Sequence, residues 1–182
     1  MQIITGKYRA RKLIGVEAET TRPTLARVKE SIFNLIQFEI DGSVVLDLFA
    51  GSGAFGAECI SRGAKKVYFI DSNQKAIDTI KVNTKNMTED FEIIKSNFES
   101  FLADAAKKSL KFNIVYLDPP YESEFAIKAI NMLAEYSLLE NDSTIIVEHK
   151  YPNDLKNLPK CCIIKKSKKY GIAYVDIISY QE

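Results

Sequence analysis

The chain has 182 residues, about one domain's worth and enough to bury a single core. Its 25 Lys and Arg nearly cancel 24 Asp and Glu, so overall charge announces no polyanion partner, although the two ends are basic and the middle is acidic. Three cysteines, Cys59, Cys161 and Cys162, form no disulfide framework, and the lone His149 has no spacing partners for a zinc site or a nucleophilic triad. No metal is therefore expected. No run reaches the ~20 apolar residues of a membrane helix, and MQIITGKYRARK lacks the apolar stretch of a secretory signal, so a reduced, cytoplasmic protein is expected.

Residues 1–40 read as an extension packed on a core that occupies 41–182. Residues 2–16 alternate weakly around Gly6 and Gly15 and predict two short strands. Thr24 is expected to cap a helix carrying Leu25, Val28, Ile32, Leu35 and Ile36 on one face. Arg9, Arg11, Arg22 and Arg27 are spaced like a phosphate-contacting surface, with the helix start at Arg22-Pro23-Thr24 beside it, where free N–H groups favour anions. Tyr8, Arg62 and the C-terminal lysines could extend that surface. A solvated basic face is the plainer alternative.

From residue 44 onward, apolar runs alternate with helical patterns. VVLDLF (44–49), KVYFID (66–71), FEIIK (91–95), FNIVYLD (112–118) and STIIVEH (143–149) are the strands, and 52–62, 73–86, 97–109 and 123–137 are the helices. This predicts a doubly wound, Rossmann-like, mostly parallel α/β sheet buried on both faces. After Pro159, CCIIKK, a turn at Tyr170-Gly171 and IAYVDIISY predict a terminal hairpin closing the sheet edge.

The first strand runs into Gly51, Gly53 and Gly56 and then a helix, a G-x-G-x-x-G fingerprint whose backbone can approach a ligand closely. Spacing alone leaves NAD and S-adenosylmethionine open, and a tightly packed strand-to-helix turn is the bland alternative. Asp71, at the end of the second strand, could accept hydrogen bonds from both ribose hydroxyls of either cofactor. Asp47 lies inside the first strand, where a carboxylate needs a cation or hydrogen-bond donors. The ammonium or sulfonium of S-adenosylmethionine would serve, whereas a pyrophosphate would be repelled; backbone N–H groups of the turn are the structural alternative.

Asp118-Pro119-Pro120-Tyr121, at the end of the fourth strand, should face the same crevice as the glycine loop. The prolines hold the turn extended, so the Asp118 carboxylate and the Pro119 carbonyl can both grip one planar amino group. Two acceptors would localise the amino lone pair and align it with a methyl donor, and Tyr121 would stack on a flipped base. A strand-ending Asp turn is the alternative.

The chain is similar to the bacterial 16S rRNA guanine-N2 methyltransferases of the RsmD type, which have the class I methyltransferase fold. The likeness rests on IITGKYRARKL at the start, TRPTLARVKESIFN at 21–34, VLDLFAGSGAFG at 45–56, SRGA at 61–64, LDPPY at 117–121 and KKYG at 168–171. It implies a seven-stranded sheet with an antiparallel last strand, S-adenosylmethionine as donor, and a guanine of small-subunit rRNA as acceptor, within an assembled or assembling subunit. It also implies that Asp47, Gly51 and Gly53 cradle the methionine part of the cofactor, that Asp71 holds the ribose and that Asn97 lies near the adenine, where many relatives carry an acid; Phe49, Ser52, Ser72 and Phe98 are further cofactor-binding candidates. Asp118, Pro119, Pro120 and Tyr121 correspond to the catalytic loop, and Arg9, Arg11, Arg22, Thr24 and Arg27 to the RNA-contacting extension. A monomer is expected from the small size. The competing readings are a DNA adenine-N6 methyltransferase, for which the chain leaves no target-recognition domain, a non-catalytic RNA-binding assembly factor, and an NAD-dependent dehydrogenase, which explains neither Asp47 nor the proline loop.

Overall fold

The computed structural model describes residues 1–16, 23–119, 123–149, 155 and 157–181. After the helix α1 (Pro23–Leu35), strands and helices alternate as β1 (Val44–Asp47), α2 (Ala54–Ser61), β2 (Lys66–Asp71), α3 (Gln74–Thr84), β3 (Phe91–Lys95), α4 (Phe98–Lys107), β4 (Phe112–Leu117), α5 (Ser123–Glu135) and β5 (Leu139–His149). The hairpin β6 (Cys162–Tyr170) and β7 (Ala173–Tyr180) completes one seven-stranded sheet of order β3-β2-β1-β4-β5-β7-β6. Pairing is parallel through β5, whereas β7 runs antiparallel between β5 and β6. The expected hairpin therefore forms, but its second arm inserts beside β5 and its first arm becomes the edge.

Both faces of the central strands are buried, which accounts for their unbroken apolar runs. On one face Val45, Val67, Phe69, Ile114 and Ile146 pack with Phe55 and Ile60 of α2, Ile80 of α3 and Ile32 and Phe33 of α1. On the other, Leu46, Tyr68, Val115, Leu117 and Val147 meet Phe101 and Leu102 of α4 and Ile130 and Leu133 of α5. Each of these large side chains contributes roughly 1.5–3 kcal/mol on burial.

The N-terminal segment departs from expectation. Among its described residues no strands form; Gln2 and Lys12 make a single antiparallel bridge. The reason lies in where the donors go: the backbone N–H groups of Ile4 and Thr5 donate to the Glu58 carboxylate at 2.7 and 3.0 Å, and those of Lys7 and Tyr8 to Ser61. Gly6, at φ 87°, brings its backbone so near Ser61 that a Cβ would lie 1.7 Å from the Ser61 carbonyl oxygen. Thr24 is likewise not a cap, because α1 begins one residue earlier at Pro23, whose missing N–H suits a first helical position.

Glu58 ties the extension to the core. It is fully buried in α2 and pairs with Lys29 of α1 at 3.0 Å and Arg62 at 2.9 Å while accepting the two backbone donors of Ile4 and Thr5. With both oxygens occupied by cations and N–H groups, the buried charge is compensated. No helix among the described residues is long and apolar enough to cross a membrane.

Candidate active site

The parallel strands deliver their carboxyl ends to one edge of the sheet, and the described residues that follow β1, β2 and β4 lie there. β1 stands between β2 and β4, with Asp47 in register with Phe69 and Tyr116. Its continuation stays wedged between them, as the Leu48 N–H donates to the Tyr116 carbonyl and the Ala50 N–H to the Ile70 carbonyl. The chain then turns through Gly51 and Gly53, at φ 53° and 72°, a conformation that side chains with a Cβ adopt only under strain. A Cβ at Gly51 would meet nothing, so the loop is open on that side; at Gly56 it would lie 2.3 Å from the Phe69 ring, so Gly56 is a packing residue.

Two carboxylates flank this loop in different states. Asp71 is satisfied: its oxygens accept the Gly51 N–H at 2.9 Å and the Asn73 N–H at 2.8 Å, bracing the turn. Asp47 is 1% exposed; its Oδ2 accepts the Gly56 N–H at 3.1 Å, and its Oδ1 has no hydrogen-bond partner among the described residues. Burial pushes its pKa up to about 7, opposed by the Gly56 hydrogen bond and reinforced by the charge of Asp71. A buried, half-satisfied carboxyl beside an open backbone cradle is suited to a cationic or multiply donating ligand.

The other residues expected around a cofactor rim the same loops. Phe49 packs on Phe98 with centroids 5.4 Å apart, Ser52 lends its carbonyl to the Asn83 amide at 2.9 Å, and Ser72 is exposed beyond Asp71. Asn97 caps α4, its side chain accepting the Ser100 N–H at 2.7 Å. Its carbonyl oxygen is thus already engaged at the helix start.

Asp118 is exposed and Pro119 half-buried at the end of β4, directly beside the strand that carries Asp47. Pro120 and Tyr121 lie outside the described residues, as does Arg22. The side chain of Thr24 is outside them too. Among the remaining arginines, Arg9 and Arg27 are exposed, while Arg11 reaches the Lys85 carbonyl and lies 5.6 Å from the Tyr8 ring centroid. Arg62 is committed to Glu58 and stacks over Phe33 at 4.7 Å, and the Tyr8 hydroxyl donates to Glu89 at 2.8 Å. These two serve the fold.

Three groups escape a reading of the sequence. Asn83, buried on α3, donates to the Ile14 and Ser52 carbonyls and accepts the Ile14 N–H, so it stitches the extension to the glycine loop. Its signal was a polar residue three positions after the buried Ile80. Tyr116 and Glu148, hydrogen-bonded to each other on adjacent strands, lie inside apolar runs that give no local sign of the pair. His149 pairs with Asp176 at 2.9 Å, and Ser167 donates to the same Asp176; the carboxylate stands between the other two, the wrong order for a nucleophilic triad.

Comparison with known proteins places this arrangement. A Bacillus subtilis protein provisionally named an rRNA methyltransferase is 37% identical over 179 residues, covering 97% of each chain. Ribosomal RNA small subunit methyltransferase D of Haemophilus influenzae is 36% identical over 94% of this chain and 90% of its own. A solved Escherichia coli structure, provisionally described as a methyltransferase, superimposes with a TM-score of 0.88 at 30% identity, covering 100% of this chain and 98% of the other. The family described as conserved hypothetical protein 95 matches residues 1–179, and the chain belongs to it, the RsmD-type family that its motifs resemble.

Proposed function

We propose that the protein transfers a methyl group from S-adenosylmethionine to the exocyclic N2 amino group of a guanine in small-subunit rRNA. One observation carries this reading: the buried Asp47, with an unpartnered Oδ1, stands next to an open glycine turn on the strand adjacent to Asp118-Pro119. The cofactor fits there, with Asp47, Gly51 and Gly53 holding its amino-acid portion and Asp71 its ribose. Bound so, it supplies an electrophilic methyl on a sulfonium.

The chain's own contribution is positioning and electrostatics. Asp118 and the Pro119 carbonyl accept the two amino hydrogens of the base, which draws the nitrogen lone pair out of the ring and toward the methyl. Pro119 holds that acceptor pair in place, since proline fixes φ and restricts the residue before it. The strand-end position keeps both over the crevice without further reorganisation. Arg9, Arg11 and Arg27 provide contacts to rRNA phosphates. The names of the relatives, an rRNA methyltransferase and a small-subunit rRNA methyltransferase, support rRNA as the substrate.

The deciding experiment incubates the protein with methyl-labelled S-adenosylmethionine and unmodified small subunits, then digests the RNA and separates the nucleosides. Label in N2-methylguanosine is the expected result. Label in another nucleoside retains the transferase and discards the base, and no label brings forward the DNA adenine-N6 enzyme and the binding factor.

A further inference from the structure

Glu148 is the next-to-last residue of β5, on the sheet face that also carries Tyr116 and Asp47. The pairing of Leu117 with Val147 brings Glu148 level with Asp118, one step further along β4. Its Oε1 accepts the Tyr116 hydroxyl. That phenol is itself fixed: the Tyr116 ring lies on Phe55 with centroids 4.1 Å apart and planes 6° from parallel, and Phe55 stacks on Phe33 of α1 at 5.0 Å. The carboxylate is therefore held at a set height beside the Asp118-Pro119 loop. It is half-buried, makes no ion pair among the described residues, and its Oε2 has no hydrogen-bond partner among them. An acid placed so, oriented by one donor and lacking a cation, is poised to receive further donors.

The chemistry of the bases says which donors these are. Beside its amino group, guanine carries a ring N1–H, so its edge presents contiguous donors. Adenine and cytosine carry an unprotonated ring nitrogen beside theirs, an acceptor that a carboxylate would repel. We infer that Glu148 is the residue that selects guanine, its carboxylate accepting the N1–H while Asp118 and the Pro119 carbonyl accept the N2 amino hydrogens. This rests on the guanine-N2 reading above and adds the residue that enforces it. Tyr116 acts through Glu148 as a positioning residue, and the Phe33-Phe55-Tyr116 stack links the selecting group to the extension.

The test compares wild type, Glu148→Gln and Tyr116→Phe in the labelled-subunit assay, with S-adenosylhomocysteine binding and thermal unfolding measured alongside. Glu148→Gln keeps the shape but replaces an acceptor with a donor facing N1–H. It is expected to lower kcat/KM for small subunits by about tenfold or more, the worth of one hydrogen bond to a charged acceptor, with cofactor affinity within about twofold of wild type. Tyr116→Phe, which keeps the ring stack and loses only the hydroxyl, is expected to lower kcat/KM by a smaller factor; it keeps the test open should Glu148→Gln fold poorly. N2-methylguanosine from wild type with undiminished kcat/KM in both variants would overturn the inference alone. A parallel loss of cofactor affinity would also overturn it, since the carboxylate would then serve the donor side. Failure of wild type to make N2-methylguanosine would instead remove the reading beneath it.

Discussion

The two halves of the crevice are built by different means. On the side of β1 and β2, the fit comes from backbone: Gly51 and Gly53 turn in left-handed conformations, and Asp71 braces that turn through the Gly51 N–H while its other oxygen accepts the Asn73 N–H after β2. On the side of β4 and β5 it comes from side chains on neighbouring strands, with Tyr116, Glu148 and Asp118 meeting only because the sheet puts them in register. A turn built from consecutive residues leaves a local signature, whereas a cluster assembled across strands leaves none. The same contrast predicts that the first side governs cofactor affinity and the second governs transfer.

The sharpest attempt to break that division is Asp118→Ala. It should lower kcat by about 10³-fold, as loss of an electrostatic contact aimed at the reacting group does, while calorimetric affinity for S-adenosylhomocysteine stays within about twofold. A matching loss of cofactor affinity would merge the two halves into one site. Next in size, Glu58→Ala should destabilise the protein by about 3 kcal/mol in urea titration, because Lys29 and Arg62 are left without their buried partner and two backbone donors lose their acceptor. A change below about 1 kcal/mol would mean that the extension is held by its apolar contacts alone.

Asp47 supplies a pH-dependent prediction for the first half. Its carboxyl is raised in the folded protein from 3.8 to about 7, so the folded state binds the extra proton across that window. Its contribution to stability is complete below about 4 and is lost as pH rises through about 7. A cationic ligand requires the ionised form, so affinity for S-adenosylhomocysteine should climb by up to about tenfold per pH unit below 7 and level off above it. Asp47→Asn should flatten this profile and weaken binding while leaving the unliganded protein at least as stable; a wild-type profile that is already flat would show that Asp47 does not face the ligand. The smallest effect concerns the extension: Arg9→Gln should reduce the slope of log affinity for rRNA against log salt by about 0.7, one phosphate contact. An unchanged slope would leave Arg9 as a solvated charge.

Much of this was legible before folding was considered. The apolar runs at 44–49, 66–71, 91–95 and 112–118 located four strands almost to the residue, the three inner ones because strands buried on both faces must be continuously apolar. The N-terminus misled for an equally physical reason: its weak alternation suggested strand pairing, yet its donors are consumed by Glu58 and Ser61 of α2, more than fifty residues away. Asn97 carried a local signal as well, that of a helix cap, and the structure uses it so.

The sequence by itself determined the alternating α/β plan, the glycine turn with its flanking acids and the family to which the chain belongs, since each depends on residues close together in the chain. Only the tertiary structure decided that β7 would insert between β5 and β6, that Glu58 would anchor the extension, and that Glu148 would come level with Asp118. These depend on which distant backbones share hydrogen bonds and on where a buried charge finds its partners, and neither is written in local spacing.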